Sequence, residues 1–352
     1  MRAAICHGAG DLRIEAFDPG QLADDEVLVN VAYGGICGSD LHYFRRGAVG
    51  DFAILRQPMV LGHEISGSVA AVGAKVTGLV PGQLAALDPS RACLTCRHCR
   101  EGRSNLCLDM RFLGSAGRFP HVQGGFANAI VLRADQVIPV PDDTDLLELS
   151  CAEPLSVGLH AVTRAGNLRG KRVLVTGSGP IGLLTARSAI HAGAGCVVST
   201  DIEDHALGVA KHGFGVDATV NVKADTEGLA QLVAEGGEFD VVLEASGSAE
   251  ALASAFALVR RGGRIVQVGM MPSGDVSVPI SMIQTREIDL VGAFRSHDEF
   301  RLAVDLIVSG KIDVSPILSG TFPLDRAGEA FAQAGDRSRV VKLHLALAET
   351  PT

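Results

Sequence analysis

The chain has 352 residues, of which 47% are hydrophobic and 20% charged, and its formal net charge is −9. This length predicts about two domains with sizeable cores, and the acidic balance argues against nucleic acid as a partner. No segment approaches the roughly 18 consecutive apolar residues of a spanning helix, so we expect no membrane association. The first residues, Met1 to Gly8, lack the apolar stretch of a signal peptide, and we therefore expect a cytoplasmic protein.

Residues 1–150 are predicted to form a β-rich domain. The segment 26–33 places Val27, Val29, Val31 and Tyr33 on one face of a predicted strand. Further short apolar stretches are separated by Gly and Pro. Such short strands between turns predict a partly closed antiparallel barrel.

Two short motifs in this domain contain groups that could bind a metal. The segment GGICGSDLHY (34–43) is a glycine loop that runs into a predicted helix, and Gly62-His63-Glu64 follows a short strand. Each has an ordinary alternative. The cysteine and the histidine could be buried core residues, and Ser39 could cap the helix.

Four cysteines spaced C-x2-C-x2-C-x7-C lie in a polar, basic loop of residues 91–109. Thiolates this close in sequence can complete a tetrahedral zinc shell. Disulfides are rare in the cytoplasm, and the long final gap without a following proline disfavours a ferredoxin-like cluster. The spacing therefore predicts a structural zinc ion held by Cys93, Cys96, Cys99 and Cys107.

From residue 171 to about 292 the sequence alternates strands and helices. This alternation is typical of a parallel sheet with helices on both faces. Six strands form a complete doubly wound nucleotide-binding domain, which we expect at residues 151–292, and we expect residues 293–352 to rejoin the first domain. The predicted strands are 173–176, 197–200, 218–222, 240–244, 264–268 and 288–291.

The segment from Gly177 to Gly182 (GSGPIG) follows the first of these strands and opens a helix. Its three glycines permit a tight turn, approach of a pyrophosphate and close helix–strand packing. The helix N-terminus supplies N–H groups to phosphates, so Pro180 and Ile181 are also expected at the cofactor. Asp201 ends the second strand, where a carboxylate would bind ribose hydroxyls and repel a 2′-phosphate. Because no arginine follows immediately, we predict NAD rather than NADP; the alternative role of Asp201 is helix capping.

Together these motifs resemble the zinc-dependent medium-chain dehydrogenase/reductase superfamily, and within it the polyol dehydrogenase branch. The resemblance extends over essentially the whole chain, through GGICGSDLHY, PMVLGHE, the four-cysteine loop, AEPLSVGLHA, GSGPIG and VQVGM. It implies an α/β protein with a Rossmann domain and a GroES-like catalytic domain. It also implies that NAD and two zinc ions per chain serve as cofactors, and that the protein is a homodimer or homotetramer.

The resemblance further implies roles for individual residues. Cys37, His63 and Glu153 would bind the catalytic zinc, with Glu64 beside them and occasionally close to the metal. Ser39 would accept the proton of the alcohol and pass it through the cofactor's ribose hydroxyl to His42. The strand expected beside the nicotinamide ends at Val268, Gly269 and Met270.

The substrate is the least constrained property. The stretches 47–52, 109–115 and 119–126 look most like those of L-idonate 5-dehydrogenases, which act on a sugar acid. A neutral polyol such as sorbitol or xylitol is the second possibility, and a non-catalytic nucleotide-binding redox sensor is a remote one. The residues expected to contact a sugar-acid or polyol substrate are Tyr43, Phe112 and, for a carboxylate, Arg111 and Arg295.

Overall fold

The computed structural model describes residues 1–348, and the chain divides into two compact units. Unit 1 comprises residues 1–153 and 300–336 and the described residues from 342 onward, whereas unit 2 comprises residues 154–299 and 337–341. The boundaries expected from sequence, at 150 and 292, lie a few residues before these positions. The return of residues 337–341 to unit 2 has no counterpart in the sequence analysis.

The N-terminal part of unit 1 consists mainly of short strands. The helices are α1 (Gly38–Arg46), α2 (Arg97–Arg100) and α3 (Leu146–Leu149). The strands are β1 (Arg2–Gly8), β2 (Asp11–Ala16), β3 (Glu26–Gly35), β4 (Ala48–Val49), β5 (Ala53–Ile54), β6 (Met59–Val60), β7 (Glu64–Val72), β8 (Leu84–Leu87), β9 (Ser90–Arg91), β10 (Arg111–Phe112), β11 (Ala129–Arg133) and β12 (Val137–Pro139).

Unit 2 alternates helices and strands. Its helices are α4 (Ala152–Ala165, which begins at the end of unit 1), α5 (Pro180–His191), α6 (Asp204–Gly208), α7 (Gly228–Gly236), α8 (Ala249–Leu258) and α9 (Ile280–Arg286). Its strands are β13 (Arg172–Thr176), β14 (Cys196–Asp201), β15 (Ala218–Asn221), β16 (Phe239–Glu244), β17 (Val259–Gln267) and β18 (Asp289–Gly292). The last part of the chain adds α10 (Glu299–Val308), α11 (Ala327–Gln333), β19 (Leu318–Pro323) and β20 (Lys342–Ala346).

The main sheet of unit 1 joins both ends of the chain. Its order is β12-β8-β7-β3-β20-β19, and β11 also pairs with β3. All pairings are antiparallel except that of β19 with β20. The alternation seen in the sequence places Val27, Val29 and Val31 in the core, and a register shift between Val31 and Tyr33 ends it. The C-terminal strand thus lies beside the strand that leads into α1.

The sheet of unit 2 has the order β15-β14-β13-β16-β17-β18, and every neighbouring pair is parallel. This order reverses direction at β13, as in doubly wound dinucleotide-binding folds. The prediction of a Rossmann domain beside a β-rich domain is confirmed. Ligands of such sheets bind beyond the carboxyl ends of the strands at the reversal point. A ligand is therefore expected at the turn after β13. None of the helices within residues 1–348 is long and apolar enough to cross a membrane.

Candidate active site

Cys37 precedes α1 and caps that helix. Its backbone N–H donates to Asp40 Oδ2 at 3.0 Å, and the other oxygen of Asp40 accepts from the Gly62 N–H at 3.1 Å. Asp40 is fully buried, and burial raises the pKa of its carboxyl group. One buried carboxylate therefore fixes the loop of Cys37 against the loop before His63. Because the helix cap is Cys37, the alternative in which Ser39 caps α1 is wrong.

His63 is buried among groups that carry negative charge. Its Nδ1 atom lies 3.8 Å from Asp40 Oδ1 and has no hydrogen-bond partner among the described residues. Burial by itself favours neutral imidazole, but the adjacent Cys37 and the acidic side chains of Asp40 and Glu153 raise the pKa of His63 to about 10. The surroundings of His63 therefore favour a cation at this position.

Glu64 begins β7 and forms a fully buried ion pair with Lys342, the first residue of β20. Lys342 Nζ donates to both carboxylate oxygens, at 2.8 and 2.5 Å, and to the Ile36 carbonyl at 3.3 Å. Burial opposes ionisation of Glu64, but Lys342 holds the pKa of its carboxyl group below the usual range. A Cβ atom on Gly35 would lie 2.2 Å from Glu64 Oε2, so only glycine leaves room for this carboxylate.

Three donor groups converge in this pocket of unit 1. Ligand atoms of Cys37, His63 and Glu64 all lie within 4.8 Å of one another. Glu153, in the first turn of α4, is buried as well, and burial together with nearby Glu64 raises the pKa of its carboxyl group to about 7, despite the opposing charge of His63. The thiolate, imidazole and carboxylate donors are those of catalytic zinc sites. A divalent cation would also balance the excess of buried negative charge, so the residues fit a zinc ion.

The four cysteines of the loop form a second donor set. Their Sγ atoms all lie within 4.8 Å of one another, with Cys96 to Cys99 at 3.5 Å and Cys93 to Cys99 at 4.0 Å. A tetrahedron with zinc–sulfur bonds of about 2.3 Å has edges of roughly 3.8 Å, so these separations fit zinc. All four are free thiols. The backbone N–H groups of Cys93 and Asp109 donate to Cys107 Sγ, as expected for a supported thiolate.

Phe112 joins the cysteine loop to the first donor set. It packs against the cluster of Ala92, Cys107 and Met110, and its ring lies 5.3 Å from the imidazole of His63. Its neighbour Arg111 is exposed. Successive side chains of a strand point to opposite faces, so we expect Arg111 to lie on the face of β10 opposite to Phe112. The geometry therefore gives no support to Arg111 as a ligand of a substrate carboxylate.

The remaining candidates on α1 differ in exposure. Tyr43 is buried, and its hydroxyl accepts a hydrogen bond from the Ala116 N–H at 2.9 Å, so it holds a neighbouring loop in place. Ser39 and His42 are both partly exposed and lie three residues apart on the same helix. Burial, followed by the charges of Arg46 and Arg45, lowers the pKa of His42, which favours the neutral imidazole that can accept a proton.

In unit 2 the glycine turn opens α5 as the sequence predicts. Gly177 has a φ of +85°, and Gly179 caps the helix with Pro180 in its first turn. A Cβ atom on Gly182 would lie 1.8 Å from the Gly177 carbonyl oxygen, whereas one on Gly179 would meet only a guanidinium nitrogen of Arg337, 4.0 Å away. Gly182 is thus required for packing. Gly179 leaves open space beside the N-terminus of α5. A phosphate could bind there to backbone N–H groups of the first turn, among them that of Ile181.

Asp201 lies beside this turn in a cavity of about 490 Å³, lined by residues that include Gly177, Thr200, Ile202 and Arg337. The side chain of Asp201 is almost fully buried and makes an ion pair of 2.7 Å with Arg337. Its carboxylate also accepts from the backbone N–H of Ser178 at 2.6 Å. The helix that follows is capped by Glu203, so the capping alternative for Asp201 is not supported.

The loop after β17 is packed tightly on the loop after β16. The N–H groups of Val268 and Gly269 both donate to the Glu244 carbonyl at 2.8 Å, and a Cβ atom on Gly269 would lie 2.3 Å from the Gly247 nitrogen. Met270 is half-exposed at the end of this loop. Two loops at the carboxyl ends of adjacent strands are therefore held in fixed positions, as a bound ring would require.

Arg295 follows β18 and occupies a strained backbone conformation. Its φ is +56°, a value that costs energy for any residue with a side chain and that clusters at functional sites. The guanidinium lies 4.9 Å from the ring centre of Phe294. This strain makes Arg295 the better of the two candidate arginines.

Sequence reasoning missed Asp40, Lys342, His344 and Arg337. A lysine and a histidine inside the apolar stretch VVKLHLAL are visible in the sequence and could have been found. His344 is buried, and burial with nearby Lys342 lowers its pKa to about 3, so it is neutral. Arg337 has no local signal, because its partner lies 136 positions earlier in the chain.

The first prediction concerns the cysteine loop. Cys99→Ser should remove one of four ligands, lower the melting temperature and release about one zinc ion per chain, because structural zinc contributes directly to folding. Thermal unfolding and metal analysis measure both effects. Cys196→Ser, at a thiol of β14 outside either donor set, is the control and should keep its metal. Full zinc content in the Cys99 variant would contradict a structural zinc at this loop.

The second prediction concerns the glycine turn. Gly182→Ala should destabilise unit 2 by about 1–3 kcal/mol, because the new Cβ overlaps backbone that cannot move aside, and it should weaken binding of 5′-AMP. Gly208→Ala is the matched control, because that helical position has nothing within 4 Å and alanine favours helices. Calorimetry measures both quantities. Equal behaviour of the two variants would show that Gly182 is not required for close packing.

Comparison with known proteins agrees with this geometry. Residues 23–142 match the alcohol dehydrogenase GroES-like domain, and residues 180–309 match the zinc-binding dehydrogenase domain. L-idonate 5-dehydrogenase (NAD(P)(+)) of Escherichia coli K12 is 40% identical over 91% of each chain, and its crystal structure superimposes with a TM-score of 0.91 at 36% identity, covering 98% of this chain and 97% of the other. Sorbitol dehydrogenase of Bacillus subtilis 168 is 34% identical, covering 95% and 93%. The chain therefore belongs to the zinc-dependent medium-chain dehydrogenases, in their polyol dehydrogenase branch.

Proposed function

We propose that this protein is a zinc- and NAD-dependent dehydrogenase that oxidises a secondary alcohol of a sugar acid, with L-idonate and 5-keto-D-gluconate as the substrate pair. The observation that supports this most is the cluster of partly exposed Cys37 with buried His63 and buried acidic residues. It occurs in a chain that also carries a glycine turn with Asp201 beside it. A metal site or a nucleotide site alone would suit many activities, whereas both together suit hydride transfer.

In this proposal Cys37, His63 and Glu153 hold the catalytic zinc. The group of described ligand atoms that lie within 4.8 Å of one another contains Glu64 rather than Glu153, but both oxygens of Glu64 already accept from Lys342. A third ligand drawn from Glu64 would have to weaken that buried ion pair, whereas Glu153 would gain charge compensation. A zinc ion bound there would acidify the substrate alcohol. The four-cysteine loop holds a second, structural zinc.

Unit 2 binds the cofactor in this proposal. Gly179 leaves space for the pyrophosphate, and the first turn of α5 offers N–H groups to it. Asp201 accepts from the adenosine ribose, which favours NAD. NAD would take the hydride that leaves the carbinol carbon. The loop that contains Val268 and Gly269 would support the nicotinamide.

Ser39 and His42 provide the path for the proton. Ser39 Oγ would accept the proton that leaves the alcohol while its own hydroxyl proton moves on towards His42, one turn further along α1, which would hold a proton before its release to water. The lowered pKa of His42 keeps its imidazole neutral and able to accept. Three-residue spacing puts the two side chains on one face of the helix.

Two classes of substrate have support. The E. coli relative is named for L-idonate, and Arg295 offers a cation for the carboxylate of a sugar acid. The sorbitol dehydrogenases among the relatives favour a neutral polyol as the second candidate, because a neutral substrate does not need that cation. Homo-oligomerisation as a dimer or tetramer stays a prediction based on the family resemblance, and a cytoplasmic location stays a prediction from the sequence.

The third prediction concerns the proton path. Ser39→Ala should lower kcat by about 10²–10⁴-fold, because a general acid–base step supplies about that much. The melting temperature should barely change, since Ser39 does not cap α1. Ser309→Ala, at an exposed position after α10, is the control. Near-normal turnover of the Ser39 variant would remove Ser39 from the proton path.

The fourth prediction tests the substrate. We expect kcat/KM for L-idonate to exceed that for sorbitol and xylitol, with 5-ketogluconate reduced in the reverse direction. Arg295→Leu should cost about 2–5 kcal/mol in transition-state binding of L-idonate, because it leaves a buried carboxylate unpaired, and much less for the neutral polyols. Arg111→Leu is the matched control and should change neither.

Two results of this substrate panel would contradict parts of the proposal. A preference for sorbitol or xylitol would overturn the sugar-acid assignment while leaving the metal and cofactor assignments intact. A folded, metal-loaded and nucleotide-binding protein without turnover on any polyol or sugar acid would support the redox-sensor alternative instead.

A further inference from the structure

We infer that Arg337 sets the balance between NAD and NADP, by exchanging its bond to Asp201 for one to a 2′-phosphate. This inference rests on the proposed dinucleotide site but assigns a role to a residue from the far end of the chain. Arg337 belongs to the segment 337–341, which packs with unit 2. It lines the same cavity as Asp201 and Ile202.

The carboxylate of Asp201 already uses its full hydrogen-bonding capacity. An ionised carboxylate offers about four acceptor positions. Oδ1 accepts from the N–H groups of Ile202 at 2.7 Å and Glu203 at 3.1 Å, and Oδ2 accepts from the Ser178 N–H at 2.6 Å and from Arg337 Nη2 at 2.7 Å. All four positions are therefore filled.

Only one of these four donors can move away from Asp201. Three of them are backbone N–H groups of the turn after β13 and of the segment after β14, and their positions are fixed by the fold. Arg337 is a long side chain that is half-exposed, whereas Asp201 is almost fully buried. A ribose hydroxyl can thus bind Asp201 only when it displaces Arg337. The guanidinium is the exchangeable donor.

A displaced Arg337 guanidinium would stay close to the glycine turn. Its Nη2 atom lies 4.0 Å from the position that a Cβ atom on Gly179 would take. The guanidinium therefore borders the open space of the glycine turn and stays within reach of Asp201. A ribose bound to Asp201 would bring its 2′ position close to this cation. With NAD the displaced guanidinium gains no new partner in place of the carboxylate. With NADP it gains a dianionic phosphate in place of the carboxylate, which offsets repulsion by Asp201.

This arrangement qualifies the NAD preference deduced from Asp201 alone. Discrimination against NADP is set by the difference between carboxylate repulsion and attraction by Arg337. Removing the arginine should therefore sharpen the preference for NAD, and removing the aspartate should reverse it only while the arginine is present.

The test measures binding of two adenylates by calorimetry, independently of turnover and zinc. Adenosine 2′,5′-bisphosphate and 5′-AMP differ only in the 2′-phosphate. In Arg337→Ala we expect affinity for the bisphosphate to fall about tenfold or more, while affinity for 5′-AMP does not fall. NADPH and NADH titrations of the same holoenzyme should show the same divergence. Arg169→Ala is the matched control, an exposed arginine before β13 at the opposite end of that strand.

A double-mutant cycle with Asp201→Ser provides the second measurement. That variant should bind the bisphosphate more tightly than the wild type, and the Asp201→Ser/Arg337→Ala protein should lose the gain. Melting temperatures of all variants show whether each remains folded.

Three results would overturn the inference. Equal weakening of both adenylates by Arg337→Ala would mean that the arginine binds a phosphate common to both, and no change in either would mean that it only pairs with Asp201. A gain in the Asp201 variant that survives loss of the arginine would show that another group recognises the 2′-phosphate. Failure of both adenylates to bind the wild type would contradict the proposed dinucleotide site itself, which separates that failure from the others.

Discussion

The metal-binding pocket of unit 1 depends on one buried ion pair, that of Glu64 with Lys342. A buried charge is tolerated only when it is paired and hydrogen-bonded, and breaking such a pair typically costs about 3–5 kcal/mol. Lys342 satisfies both oxygens of Glu64 and the carbonyl of Ile36. Since Ile36 precedes Cys37 and Glu64 follows His63, the lysine of the last strand holds both metal-binding loops. The C-terminal strand therefore completes a site whose predicted ligands come from much earlier in the chain.

The predicted metal site and the predicted nucleotide site each contain a buried carboxylate that is held in the same way. Asp40 and Asp201 each accept hydrogen bonds from backbone N–H groups of two separate segments. Each thereby connects a glycine-containing turn to a neighbouring loop. In both cases the negative charge is buried next to a place where a cation or a polar ligand is expected. Burial fixes these carboxylates in position, and their remaining charge is available to the ligand.

The parts of the structure that the sequence predicted depend on local spacing. The four cysteines, the glycine turn and the alternating strands and helices of unit 2 each lie within a short segment, and their geometry follows from that spacing. Arg337 could not be predicted in the same way, because its partner lies 136 positions away. Lys342 stands out as a charge within an apolar stretch, but its partner, 278 positions away, could not be predicted from local spacing. Arg111 stays a prediction as a substrate ligand, and its exposed position on β10 does not favour it.

The cysteine loop also affects how the protein could be inactivated by oxidation. Hydrogen bonds from Thr95, foremost that of its backbone, and from Cys96 lower the pKa of Cys93 to about 6, which favours its thiolate form when no metal is bound. Thiolates react with peroxide and with disulfides, and Cys99 lies only 4.0 Å away. Loss of the zinc ion, which is reversible by itself, would thus be followed by oxidative cross-linking of cysteines within the loop. The lifetime of the enzyme in an oxidising medium would then be governed by how long that ion stays bound.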